Sequence, residues 1–71
     1  MIRIYAGKEL EKVLHKFSLP ESFLEGLDFI VVSSDESKNK FALQTALEIT
    51  DGYVEEVIVD GKTFFLCYKN G

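Results

Sequence analysis

The sequence predicts a small α+β domain in the order β-α-β-α-β-β, with a mixed sheet and a C-terminal β-hairpin. Three observations carry that reading. Leu10, Val13, Leu14 and Phe17 recur at helical spacing, residues 29–32 form an unbroken apolar run, and Asp60-Gly61 separates two apolar stretches as a two-residue turn does. The chain has 71 residues, about half of a typical domain, so residues 1–71 read as one domain with a single core. Chains this short bury only about 60% of the surface they expose when unfolded and often need a staple. Two staples are excluded by composition. The one cysteine, Cys67, cannot form an internal disulfide, and with a single histidine, His15, no Cys/His zinc set can be assembled.

Taken in order, Ile2 and Ile4 alternate with Arg3 and Tyr5, as in a short strand with one apolar face, and Ala6-Gly7 ends it. The helix through Leu10, Val13, Leu14 and Phe17 carries Lys8, Glu9, Glu11, Lys12, His15 and Lys16 on its other positions. Pro20 cannot continue that helix but can open a short turn over residues 20–25, with Gly26 as its stop and Phe23, Leu24 and Leu27 turned to the core. Phe29, Ile30, Val31 and Val32 then read as a strand buried on both faces. Strand, helical crossover and buried strand together predict a βαβ unit.

Residues 37–50 admit two readings. Ala42, Leu43, Gln44, Ala46, Leu47 and Glu48 favour a helix, with Ser33 and Glu36 at capping-box spacing and Asp51-Gly52 as its stop. Against this, Phe41, Leu43, Thr45, Leu47 and Ile49 alternate as in a strand, which would turn the fold into a β-α unit followed by a four-stranded antiparallel meander. The scarcity of β-branched residues tips the balance to the helix. The last hairpin is sharper: a two-residue loop at Asp60-Gly61 pairs Val59 with Lys62, Val57 with Phe64, Glu55 with Leu66 and Tyr53 with Tyr68 on one face. Ile58 then meets Thr63, Glu56 meets Phe65 and Val54 meets Cys67 on the other.

Twelve acids against eight bases give a net charge of −4, which disfavours nucleic acid as a partner unless the bases gather on one face. Residues 48–60 hold Glu48, Asp51, Glu55, Glu56 and Asp60 without a single base, a candidate acidic patch. Charges at Arg3, Lys8, Glu9, Glu11, Lys12 and Lys16 speak against an apolar leader, and no run approaches the length of a membrane span, so the expectation is a soluble, cytoplasmic protein.

The glycines are isolated and form no phosphate loop, His15 lies on the polar side of its helix, Cys67 sits in an apolar strand, and Glu55 and Glu56 point to opposite faces. No catalytic residue, cofactor or metal is therefore expected. The leading expectation is a non-enzymatic protein-interaction or regulatory module that also self-associates as a homodimer. Its interface would comprise Tyr53, Val57, Phe64, Leu66 and Tyr68, because both faces of the last hairpin are apolar. Two alternatives stand beside it. One is a nucleic-acid binder using the aromatics Tyr5, Tyr53, Phe64 and Tyr68 with Lys38, Lys40, Lys62 and Lys69; the other is an acidic inhibitor that occupies a basic site on a partner through its acidic stretch.

Overall fold

The computed structural model describes residues 1–70. Its elements are β1 (Ile2–Ala6), α1 (Glu9–Lys16), a 3-10 turn (Glu21–Leu24), β2 (Leu27–Ser33), a second 3-10 turn (Glu36–Lys38), α2 (Asn39–Ile49), β3 (Tyr53–Val59) and β4 (Lys62–Tyr68). The α+β class and the element order are those expected from the sequence. The sheet has four strands in the order β1-β2-β4-β3.

Every neighbouring pair in that sheet is antiparallel, so the expected mixed sheet and the βαβ unit are corrected. The reason lies in the connection from β1 to β2, which makes two passes over the sheet instead of one. Helix α1 has only eight residues, about 12 Å at 1.5 Å per residue, and it carries the chain back toward the end where β1 began. Ser18, in the left-handed region at φ 57°, reverses the direction there. The segment holding Leu19, Pro20 and the 3-10 turn then returns the chain to the far end, where Gly26 at φ 77° admits β2. An even number of passes leaves β2 running against β1.

Helices α1 and α2 lie on opposite faces of the sheet. Leu10, Val13 and Leu14 of α1, with Leu19, pack on Ile30, Val32, Phe64 and Leu66. On the other side Ala42 and Ala46 of α2 pack on Val31, Phe65 and Cys67. The two alanines, both fully buried, bring α2 close enough for the Cys67 thiol to donate to the Ala46 carbonyl at 3.7 Å. Residues 39–49 are thus helical. The expected capping box is absent. Asp35 instead caps the 3-10 turn that leads into α2, accepting from the Ser37 amide at 3.0 Å and the Ser37 hydroxyl at 2.8 Å, which holds its carboxyl below the usual carboxylate range. Ser33, at the position expected to cap, donates its hydroxyl to the Asp35 carbonyl.

The last hairpin has the expected register at all seven pairs. Asp60 at φ 51° and Gly61 at φ 77° supply the two positive angles of a type I′ turn. Gly52 has another role than stopping a helix. A Cβ there would collide with the Tyr68 carbonyl and lie 2.7 Å from Lys69 C and Asn70 N, so only glycine lets the α2–β3 turn press against the end of β4. Gly61→Val should cost about 1 kcal/mol or more from backbone strain, and Gly52→Ala on the order of 2 kcal/mol from overpacking against main chain. Urea melts of both variants check this. An alanine at position 52 tolerated without loss would refute the close approach.

Candidate functional site

Three of the five residues expected to form an interface are core. Phe64 and Leu66 are fully buried and Tyr68 nearly so, all under α1 and its following turn. Val57 packs against the same cluster, and Tyr53, 58% exposed, stacks on Tyr68 with ring centroids 5.0 Å apart. The two apolar faces that called for a partner are covered over β4 from within, one by each helix, while Tyr53 and Ile58 of the edge strand β3 stay exposed. The acidic residues are exposed but do not form one ridge. Glu55 lies on the α1 side beside Tyr68, whose hydroxyl is pushed to higher pKa by burial first and by Glu55 and Tyr53 second. Glu56 points to the α2 side, Asp51 and Asp60 sit in turns at opposite ends of β3, and Glu48 is on α2. The expected nucleic-acid residues are scattered as well. Lys38 and Lys40 flank Phe41 on the α2 side, Lys62 is on the α1 side, and Lys69 approaches Asp28 at 4.0 Å.

What the fold leaves open is the flank of α2 that faces β1. Helix α2 covers β2 and β4, which leaves β1 bare on that side. Ile2 is only partly covered there, and Ile4, two residues along and on the same face, is 47% exposed. Phe41 on the helix is 45% exposed, and Met1 is exposed beside it. Between helix and strand lies a groove of about 510 Å³ whose walls include Met1, Ile2, Phe41 and Thr45. Lys38 and Glu48 line it ten residues apart, about 15 Å along α2. The Lys38 and Lys40 ammonium groups sit 5.5 and 5.6 Å from the Phe41 ring, making that end of the groove cationic.

Strand β1 is also an edge strand, with one row of backbone N–H and C=O groups unpaired. The other edge, β3, is guarded by Glu55 and Glu56 in mid-strand, whereas the only charge on β1 is Arg3, which points to the α1 side. The sequence pattern gives Ile2 and Ile4 a shared apolar strand face, and nothing in it tells that α2 sits over β2 and β4 and leaves Ile4 and Phe41 exposed. Across known protein families, curated proteins and solved structures, the chain has no significant match.

Among the described residues no group of three or more His, Cys, Asp or Glu side chains could hold a metal, and no helix is long and apolar enough to cross a membrane. His15 is exposed and pairs with Glu21 at 3.2 Å. Cys67 is fully buried, and desolvation, with a smaller push from Asp28, raises its thiol to about 11. At about pH 8 roughly one such thiol in a thousand is ionised, so Cys67 should resist disulfide reagents until the protein unfolds; rapid native-state labelling would contradict that placement. A charge at position 64 lands in the α1-side core. Phe64→Asp should therefore unfold the chain, losing more than about 3 kcal/mol, independently of protein concentration in a denaturant melt.

Proposed function

We propose that this protein is a non-enzymatic interaction module that receives an extended segment of a partner protein along the free edge of β1. One observation carries the reading: an edge strand with no charge on its α2-side face lies beside an apolar groove against a helix flank. Strand addition uses both parts. The outward N–H and C=O groups of β1 bind the incoming main chain, and alternate side chains of the guest fall into the groove beside Ile2, Ile4 and Phe41. Each main-chain bond adds only about 1 kcal/mol net, and β1 is five residues long, so apolar seating supplies most of the affinity and micromolar binding is expected.

Charge defines the guest further. Lys38 and Lys40 at one end of the groove favour an acidic side chain, and Glu48 at the other favours a basic one. The best ligand is thus a short segment with apolar residues at alternate positions, an acid at the end that meets Lys38 and a base at the end that meets Glu48. A cytoplasmic setting fits the single unpaired cysteine.

The test is an NMR titration of isotope-labelled protein with a peptide of alternating valine and threonine, bearing aspartate at one end and lysine at the other. Saturable shifts confined to Ile2–Ala6 and the adjoining flank of α2, abolished in Phe41→Asp and Ile4→Lys, are the expected result. Shifts elsewhere, or none, would overturn the proposal. Concentration-dependent shifts of those same residues without peptide would also overturn it, by identifying a second copy of the chain as the occupant.

A further inference from the structure

On the opposite face, the fold gathers cations that are far apart in sequence. Arg3 from β1, Lys16 from the end of α1 and Lys62 from the start of β4 line one cleft of about 290 Å³, with Tyr5 and Phe17 in its wall. Among the described residues no carboxylate lines that cleft. Glu9 and Asp60 line the adjoining depressions on either side. Among the described residues the contacts between basic and acidic side chains are His15–Glu21 and Lys69–Asp28, so Arg3, Lys16 and Lys62 each lack an acidic partner within bonding range.

Three of the eight bases of a chain with net charge −4 therefore converge without an ion pair of their own. Each repels the others, and the arrangement is eased when an anion enters. Two of the three are also held in place. The Lys16 and Lys62 ammonium groups lie 5.5 and 5.9 Å from the Phe17 ring, which packs on Phe64 at 4.9 Å between centroids and so ties the cleft to the core.

We propose that this cleft binds a ligand through its phosphate groups, with Arg3 offering a planar fork and Lys16 and Lys62 acting as point charges. Phosphate chemistry is favoured over a carboxylate because a lone carboxylate, with two oxygens and one charge, leaves two of the three cations unneutralised, whereas a phosphate leaves about one and a diphosphate carries charge and oxygen enough for all three. Recognition of a base by stacking is disfavoured. Phe17 has the Lys16 and Lys62 ammonium groups over its ring and Phe64 packed against it, so a base stacked there would displace the cations that bind the phosphate. The linings of the cleft and of the β1–α2 groove share no side chain, although Arg3 and Tyr5 belong to the strand that offers its edge to the guest; Lys16 and Lys62 lie off that strand, so their variants test this site alone.

Pyrophosphate is the probe, followed by amide and side-chain shifts and by calorimetry. The expected result is saturable binding with shifts at Arg3, Lys16, Phe17 and Lys62, weakened about tenfold or more by Lys16→Gln or Lys62→Gln and not by Lys40→Gln. The melting temperatures of the unliganded variants should match the parent, since Lys16 and Lys40 are exposed and glutamine keeps most of the half-buried Lys62 stem. A nucleoside diphosphate that binds as well as pyrophosphate, but no better, identifies the phosphate groups as the recognised part. The inference is overturned if pyrophosphate gives no saturable shift. It is equally overturned if Lys40→Gln weakens binding as much as Lys62→Gln, which would be diffuse charge screening, or if a single-stranded oligonucleotide binds with shifts spread over both faces of the sheet.

Discussion

The structure depends on two central strands that are apolar on both faces. In β2, Ile30 and Val32 point to one side and Val31 to the other; in β4, Phe64 and Leu66 oppose Phe65 and Cys67. Neither strand can lie at the surface, so each face must be covered, and the chain has two helices with which to do it. At roughly 25 cal/mol per Å² of apolar surface, leaving either face open would forfeit more than a chain of this size holds in reserve. The three-layer arrangement follows, with β2 and β4 in the middle and β1 and β3 at the edges.

That constraint also explains which parts of the fold were legible beforehand. The hairpin register could be read because Asp60-Gly61 sets it locally and seven pairs follow without further information. The first helix was equally plain, since Leu10, Val13 and Leu14 all face one cluster. Residues 39–49 looked ambiguous because Leu43 and Leu47 sit off the main face; Ala42 and Ala46, which carry little hydrophobic signal, make the closest contact with the sheet. Strand direction was not legible. It hinges on Ser18 adopting a left-handed conformation and splitting one connection into two passes, a choice that no composition rule predicts for serine.

The functional surfaces were harder to see for the same physical reason. Apolar side chains on the hairpin promised an interface, but covering them is the work of α1 and α2, and Phe64 and Leu66 end in the interior. The surfaces that remain are where the two short helices run out. Helix α2 is centred on β2 and β4, so Ile4 and Phe41 stay exposed. Helix α1 stops after eight residues, and Lys16 at its end meets Arg3 and Lys62. Neither surface has a local motif; both are products of topology, so their residues are scattered along the chain.

If β2 and β4 hold both layers together, the α1-side and α2-side clusters form a single cooperative unit. Native-state hydrogen exchange across a range of denaturant tests this most directly. The expected result is that amides of β2 and β4 exchange only through global unfolding, with an opening free energy equal to that from an equilibrium melt, while β1 opens earlier. Exchange of the β4 amides by a partial opening, with the α1 layer still protected, would show that the two faces are stabilised separately and contradict the account.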